Sequence, residues 1–86
     1  WGTHTHVQTA DEQILPKGTG YITDAGMTGP VVSVIGMPAQ QSVEGFLGGL
    51  RGRHQVASGA CAMHGVLYTL ESSTGLCTNV ERIAVR

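Results

Sequence analysis

The sequence predicts an α+β fold in one small domain over residues 1–86, mostly β-strands with one main helix and a C-terminal β-hairpin. The 13 glycines among 86 residues indicate many turns and close backbone approaches rather than a helical bundle. A helical apolar pattern occurs at about residues 38–50. Two β-prone stretches, residues 61–71 and 76–85, flank the turn sequence Ser-Ser-Thr-Gly, as a hairpin requires.

Before and after the helix, short β-prone segments alternate with turns. Residues 2–9 are expected to be the end of a strand running into a loop, and residues 19–23 a β-prone run after a Pro-Lys-Gly turn. Residues 31–35, rich in Val and Ile, are strongly β-prone. Residues 53–58 are expected to form a further strand.

In the predicted helix the apolar side chains fall at i, i+3, i+4 and i+7 and form one face: Val43, Phe46, Leu47 and Leu50. This stripe is interpreted as core. Pro38 suits the first turn. Three glycines weaken the helix by up to ~1 kcal/mol each relative to alanine, so tertiary packing must hold it. Arg51 and Arg53 follow at the negative end of its dipole, and for both we favour capping over contact with a phosphate.

The hairpin sequence also fixes an expected register. Across the turn, Leu70 is predicted to face Cys77 and Leu67 to face Val80. Cys61 then lies far along the ladder from Cys77, beyond the ~7 Å Cα separation that a disulfide tolerates. Both cysteines are therefore expected to be free thiols and at least partly buried. The lack of a disulfide framework fits a cytoplasmic protein.

Near the N-terminus, His4 and His6 are separated by one residue. Alternate side chains of an extended segment point to the same face, so the two imidazoles are expected on one side of the chain. Imidazole is the commonest protein ligand for transition metals, and two at this spacing can share one ion or serve neighbouring ions. Two ordinary surface histidines are the alternative. Thr3 and Thr5 point the other way and are small enough to hydrogen-bond behind such a site.

The remaining polar candidates have a structural and a functional interpretation each. Asp24 ends a β-prone run, where it serves a turn or contacts a metal-bound histidine from behind; we favour the turn. Asp11 and Glu12 are interpreted as solvated charges. His54 and His64 are interpreted as ordinary strand histidines, the alternative being that one completes a metal site.

Four stretches together carry a family resemblance: GTHTHVQT at 2–9, GTGYITD at 18–24, GMTGP at 26–30 and SVIGM at 33–37. They closely resemble the C-terminal part of the bacterial YmdB-type metallophosphoesterases, a branch of the calcineurin-like phosphoesterases. The similarity is dense over residues 2–37 and continues more loosely to about Arg82. The glycine-flanked loop at 26–30 is a weak motif alone, and the resemblance places it near the active-site rim.

The resemblance implies a partial α/β-sandwich that contributes to a two-metal centre for hydrolysis of phosphodiesters, including cyclic nucleotides. In that family the Gly-Thr-His-Thr-His segment supplies the last two histidine ligands, which correspond to His4 and His6. The other ligands, an aspartate, a glutamate, two asparagines and a histidine, come from earlier segments that this sequence does not contain. A divalent metal (Fe, Mn or Zn) is implied as cofactor, although two histidines alone are expected to bind it weakly or not at all.

Two function hypotheses follow. In the first, the chain is the C-terminal segment of a two-metal phosphodiesterase and is inactive alone, so whether it counts as an enzyme stays open. No catalytic residue is assigned, and the substrate-binding residues are left open. In the alternative, it is a stand-alone, non-catalytic module that self-associates and binds a partner or a metal.

Charge and strand edges limit the partners. With 5 basic and 6 acidic residues and no basic stripe, the sequence gives no electrostatic support for nucleic-acid binding. No apolar run reaches the roughly 18 residues of a membrane span. Unpaired strand edges and an uncovered apolar face predict a homo-oligomer, most simply a twofold dimer, or assembly with a complementary N-terminal metallophosphoesterase segment. In a dimer, the two His-x-His pairs are a hypothetical four-histidine site.

Overall fold

The computed structural model describes residues 1–46 and 55–86. Within them lie five strands and one helix: β1 (Gln13–Ile14), β2 (Gly20–Tyr21), β3 (Thr28–Pro30), α1 (Ala39–Phe46), β4 (Cys61–Leu70) and β5 (Cys77–Val85). The predicted α+β class, with mostly β-strands, one helix and a C-terminal hairpin, is confirmed. In the part of the chain so described, no helix is long and apolar enough to cross a bilayer.

The strands form two antiparallel sheets. β1 and β2 pair as a two-stranded ribbon, and β3, β4 and β5 form a three-stranded sheet with β4 at its centre. The short edge strand β3 places Gly29 opposite Ala62 of β4. The Cys77 N–H donates to the Gly18 carbonyl at 2.8 Å, which ties the ribbon to β5. The connection between β1 and β2 is thereby held against the hairpin.

The Ser-Ser-Thr-Gly sequence forms the predicted tight turn of the hairpin. The Glu71 carbonyl accepts from the Gly75 N–H at 2.7 Å, and the Glu71 N–H donates to the Leu76 carbonyl at 2.9 Å. Gly75 has a φ of 73°, which glycine adopts without a Cβ penalty. The predicted pair Leu70 and Cys77 is confirmed.

Beyond this pair the predicted register is wrong. An irregularity between Thr69 and Leu70 shifts the ladder by one residue, so Leu67 faces Glu81 and not Val80. A bulge adds one residue to one strand, and the simple count from the turn cannot include it. The cysteines are free as predicted. Cys77 is buried, but Cys61 is exposed, so the expected partial burial of Cys61 is wrong.

The helix begins within one residue of its predicted start, at Ala39, and extends through Phe46 in the described residues. The rest of its predicted span, Leu47 to Leu50, lies outside the described residues, as do Arg51, Arg53 and His54. The interpretations placed on those residues therefore stay predictions. Val43, however, is 54% exposed, so its assignment to the core is wrong.

Three β predictions are wrong. Residues 2–9 contain bends and no strand, residues 55–58 form no strand, and residues 31–35 form a turn rather than a strand. In the last case the Ser33 hydroxyl donates to the Pro30 carbonyl at 2.9 Å and accepts from the Gly36 N–H at 3.1 Å. The positive φ of Ile35 (49°) and Gly36 (91°) then reverses the chain. Local side-chain hydrogen bonds have overridden β propensity here.

The buried core is small and the surface is large. Ile22, Pro30, Ala62 and Cys77 are the buried apolar residues of the described chain. The radius of gyration is 16.9 Å, whereas a compact domain of this length has about 12 Å. The accessible surface is 6384 Å², against roughly 4,900 Å² for a monomer of this mass. The surface exceeds that of a self-contained domain by about 1,500 Å² on the same scaling.

Part of this excess is an apolar face on the hairpin. Met63, Leu67 and Val85 keep 50%, 48% and 52% of their surface exposed, and Ile83 is half-buried. Met63 pairs with Val85, and the alternation along both strands puts all four side chains on one side of the sheet. We call these four residues the hairpin face.

Candidate metal centre

Residues 2–9, the histidine segment, run beside residues 23–25 and are fixed to them at both ends. The Ala25 N–H donates to the Gly2 carbonyl at 2.9 Å, and the Thr9 N–H donates to the Asp24 carbonyl at 3.1 Å. A Cβ on Gly2 would lie 2.4 Å from the Thr23 carbonyl oxygen, so only glycine permits this approach. The segment is thus anchored although it has no regular secondary structure.

Between its ends, the segment is held by Asp24. This carboxylate is only 2% exposed. It accepts hydrogen bonds from the Thr5 N–H (2.8 Å), the Thr5 hydroxyl (2.7 Å) and the Gly26 N–H (2.8 Å). Thr5 lies between the two histidines, so Asp24 orients the residue that positions both of them.

These donors also fix the charge of Asp24. The Thr5 hydroxyl, and after it the Gly26 N–H, lower the pKa of Asp24 below its ordinary value, and the nearby His6 adds to the shift. The carboxylate therefore stays ionised at neutral pH. A fixed negative charge beside a histidine pair favours a cation at the same place.

The His6 ring is oriented by a second contact. Its Nδ1 lies 3.0 Å from the carbonyl oxygen of Ile35. A carbonyl oxygen only accepts hydrogen bonds, so Nδ1 must carry the proton, and in the neutral ring the lone pair is on Nε2. This arrangement is typical of metal-ligating histidines, whose other ring nitrogen donates to a carbonyl or a carboxylate.

The backbone around this contact has positive φ. His6 has a φ of 64° and Ile35 a φ of 49°. A β-branched residue in this region is unusual, and such conformations persist only where the surroundings enforce them. The His6–Ile35 hydrogen bond thus joins the histidine segment, which Asp24 holds, to the turn that the Ser33 hydroxyl holds.

His4 is exposed and has a φ of 148°. Its ring has no hydrogen-bond partner among residues 1–46 and 55–86. Because neither histidine has the φ of an extended strand, the predicted reason for their sharing a face is wrong, although both rings remain open to solvent. The contacts that orient this segment are those of Asp24 with Thr5 and of the Ile35 carbonyl with the His6 ring.

The other acidic candidates, Asp11 and Glu12, are engaged in contacts away from the two histidines. Asp11 accepts from the Thr9 hydroxyl at 2.7 Å and from the Thr23 N–H and hydroxyl, and these contacts, led by the Thr23 hydroxyl, lower its pKa to about 2. Glu12 pairs with Arg82 at 3.1 Å, so neither acid is simply a solvated charge. In the described part of the chain, no cluster of three or more His, Cys, Asp or Glu side chains exists.

A cleft of about 380 Å³ opens beside His6. Its walls come from the histidine segment, the 27–35 region and β4, and Met27, Pro30, Ile35, His64 and Arg86 are among the lining residues. His64 belongs to β4, as an ordinary strand histidine would, and it is one of the residues that line this cleft. The loop at 26–30 forms part of the wall, consistent with a place at the rim of a site.

The sequence pointed to the two histidines but missed the acceptor that orients one of them. Ile35 contributes only its carbonyl oxygen, and a backbone acceptor has no residue-type signature. For Asp24, contact behind a histidine ligand was the less favoured alternative. Its position at the end of a β-prone run was the available signal, and the carboxylate does contact the histidine segment through Thr5.

The sequence profile of the YmdB-like protein family matches residues 1–83. The chain belongs to the YmdB-like family. Among its relatives, a 2',3'-cyclic-nucleotide 2'-phosphodiesterase from Bacillus subtilis (strain 168) is 46% identical over 84 residues. This match covers 98% of the present chain and 32% of the relative.

Two solved structures share the fold of this chain. A crystal structure of a phosphatase from Mycoplasma pneumoniae superposes with a TM-score of 0.90 at 41% identity, covering 98% of this chain and 30% of that one. A hypothetical protein from Thermus thermophilus gives a TM-score of 0.88 at 37% identity, covering 98% of this chain and 32% of that one. The chain therefore spans about a third of the length of the relatives it matches, and corresponds to their C-terminal part.

Proposed function

We propose that His4 and His6 are the last two metal ligands of a two-metal phosphodiesterase, and that the chain hydrolyses phosphodiesters only when the rest of the fold is present. The observation that carries this proposal is the His6 contact: Nδ1 donates to Ile35, which leaves Nε2 as a ligand atom. The 46% identity to a cyclic-nucleotide phosphodiesterase supports the same reaction class.

The donor set fits a divalent ion of the Fe, Mn or Zn type. Imidazole nitrogen suits zinc and iron, and a carboxylate-fixed backbone behind it limits the rotation of the ligand side chains. Bound divalent ions supply Lewis acidity, which polarises the phosphoryl oxygens and lowers the pKa of water. The chain's own contribution is positional: Ile35 fixes the His6 tautomer, and Asp24 fixes the backbone of Thr5 between the ligands.

Two imidazoles do not complete such a centre. A two-metal site holds its ions about 3.5–4 Å apart and requires bridging ligands. The described residues contain no cluster of three or more candidate ligands. We therefore expect weak metal binding and no turnover by the chain alone.

The large exposed surface also supports binding of a partner that completes the fold. The hairpin face and the surplus surface of about 1,500 Å² exceed the roughly 800 Å² that one side of a standard interface buries. We propose that a complementary N-terminal metallophosphoesterase segment covers this surface, with a homodimer as the second possibility. A cytoplasmic location belongs to this proposal, supported by the unpaired thiols of Cys61 and Cys77.

The test is hydrolysis of bis-p-nitrophenyl phosphate with manganese, iron(II) or zinc. The chain is assayed alone and together with the N-terminal two-thirds of the Bacillus subtilis relative. We expect no turnover alone, turnover in the mixture, and loss of that turnover in a His4→Ala/His6→Ala variant. Lys17→Ala, at an exposed turn position, is the control for unspecific effects.

Native mass spectrometry on the same samples identifies the assembly. A mixed complex that turns over supports the proposal. Turnover by the chain alone contradicts the proposal. So does turnover by a mixture that contains the His4→Ala/His6→Ala variant. A stable homo-oligomer that does not bind the complementary segment favours the alternative, a non-catalytic, self-associating module. The exposed hairpin face is the observation that supports this alternative.

A further inference from the structure

The hairpin face has a hollow and a projecting side chain at neighbouring positions. Gly65 and Ile83 pair across β4 and β5, so their side-chain positions lie next to each other on this face. A Cβ on Gly65 would have nothing within 4 Å, whereas Ile83 fills its own position with a branched side chain. Met63 and Val85 form the next pair, and each is about half exposed. A glycine inside a strand often marks a place where another chain approaches closely.

This pattern is self-complementary under a twofold axis. When two such faces pack together, an axis that runs along the hairpin, between β4 and β5, places β4 of one copy over β5 of the other. Ile83 of each copy then lies over Gly65 of the other, and Met63 lies over Val85. We propose that a second copy covers the hairpin face of the isolated chain in this way, so that self-association and completion of the phosphodiesterase fold exclude each other. The exclusion rests on the proposed function, in which the complementary segment covers the same face.

The exposed surface is large enough for such a dimer. The chain exposes about 1,500 Å² more than a self-contained domain of its mass, and one side of a standard interface buries roughly 800 Å². Sheets that pack face to face lie about 10 Å apart, and their inner side chains interdigitate. A branched side chain opposite a glycine suits this spacing, because two large side chains at the same place would hold the sheets apart. A second copy brings both the side chain and the hollow, whereas an unrelated partner would need a matching pair of its own.

The charges of the chain do not oppose this contact. With 5 basic and 6 acidic residues, two copies repel each other little at long range. None of the four hairpin-face residues is charged. Glu81 pairs with Leu67 at the margin of the face and is exposed, so its carboxylate stays in contact with water. An apolar centre with a polar rim is the usual composition of a protein interface.

A size exchange between Gly65 and Ile83 tests the contact. Gly65→Leu adds apolar surface, which would strengthen unspecific association, but it fills the hollow that Ile83 of the second copy requires. We therefore expect Gly65→Leu to weaken the dimer by about tenfold or more, and Ile83→Ala in the same chain to restore most of the affinity. Met63→Lys should weaken the dimer by about tenfold as well, because it buries an unpaired charge. Leu70→Lys is the matched control, since Leu70 is also an exposed apolar residue of β4 but does not belong to the hairpin face.

The experiment is sedimentation velocity of the 86-residue chain over a range of concentrations, with the NMR spectrum of each variant as the control for folding. We expect a species with twice the 9.0 kDa mass of one chain. In a mixture of isotope-labelled and unlabelled chains, a filtered NOE experiment should show contacts from the Ile83 methyl groups of one copy to the Gly65 Hα of the other. Addition of the N-terminal two-thirds of the Bacillus subtilis relative should replace the dimer by a complex with one copy of each chain.

A chain that stays monomeric, a dimer without NOEs between Ile83 and Gly65, or an undiminished dimer of folded Gly65→Leu chains overturns the proposal. If Gly65→Leu gives the spectrum of an unfolded chain, the NOEs and the two lysine variants decide, and equal effects of Met63→Lys and Leu70→Lys overturn it. A complex that binds the complementary segment and still contains the hairpin dimer overturns the exclusion. Turnover judges the proposed function separately: exchange of the dimer for a mixed complex without turnover refutes the proposed function alone, and turnover with a chain that never dimerises refutes only this inference.

Discussion

Asp24 allows a sharp test of how the histidine segment is positioned. We predict that Asp24→Asn lowers the zinc affinity of the chain, because Asp24 holds Thr5, which lies between the two histidines. Loss of a group that bonds a metal ligand directly costs about 10- to 100-fold in affinity, and for this indirect partner we expect the lower end, about tenfold. One carboxylate oxygen accepts both Thr5 hydrogen bonds, and the other accepts the Gly26 N–H. Asparagine has one acceptor oxygen, so in either orientation its NH₂ faces an N–H donor.

The size of the effect follows from these bonds. With the amide oxygen toward Thr5, two hydrogen bonds remain, but both lose their charged acceptor and about half their strength. With the amide oxygen toward Gly26, the Thr5 backbone is released altogether. In both cases the fixed negative charge beside His6 disappears, so the segment becomes less ordered and less attractive to a cation.

The assay is a zinc titration followed through the His4 and His6 ring signals by NMR. Asp11→Asn is the matched control, since Asp11 also binds threonine hydroxyls but does not touch Thr5. An Asp24→Asn affinity within twofold of the unaltered chain, or an equal loss in Asp11→Asn, refutes the reasoning. Without metal, the Thr5 amide shift should titrate with a midpoint below 3.8, the ordinary value of aspartate, because the Thr5 hydroxyl and the Gly26 N–H lower the pKa of Asp24.

Three further predictions concern stability, each measured by urea unfolding unless stated. Gly26→Ala should destabilise the chain by about 1–3 kcal/mol, because Gly26 has a φ of 90° and a Cβ there would lie 2.8 Å from the His64 Cβ. The control Gly65→Ala places its Cβ in open space and should change the free energy of unfolding by less than ~1 kcal/mol. Equal effects of the two substitutions contradict the strain argument. Ile22→Ala, at a fully buried position, should destabilise by ~2–5 kcal/mol and Ile22→Val by ~0.5–1.5 kcal/mol; a negligible loss in both would mean that this residue is not core. For Asp11, whose pKa is lowered to about 2, the stabilisation is complete above about 3.8 and lost as the pH falls toward 2; a carboxyl ¹³C titration midpoint near 4, or an acid transition unchanged in Asp11→Asn, would contradict it.

The elements that the sequence predicts correctly are those for which several residues give the same indication. The helix start and both hairpin strands rest on several residues each, so one atypical residue does not alter the interpretation. The pair Leu70 and Cys77 lies next to the turn and depends only on turn length. The body of the ladder depends on the Thr69–Leu70 irregularity as well, which no residue type announces.

The failures share a different cause. Residues 31–35 have strand composition, yet one hydroxyl, that of Ser33, bonds the backbone on both sides and makes a turn. For the candidate site, family resemblance supplied His4 and His6, whereas alternation in an extended strand gave the wrong geometry. The residues that orient them lie 19 and 29 positions away from their partners, a long-range placement that local patterns do not encode.

The hydrogen bond between His6 and Ile35 makes the two loops mechanically interdependent. Capture of the free ring nitrogen by an ion would strengthen the Nδ1–H as a donor and tighten the hold on the Ile35 carbonyl. Slower amide hydrogen exchange in the 33–37 turn would then report the loading of a ligand atom that belongs to a different loop. Since Ile35 also forms part of the cleft wall, a movement of this turn would change the shape of the cleft.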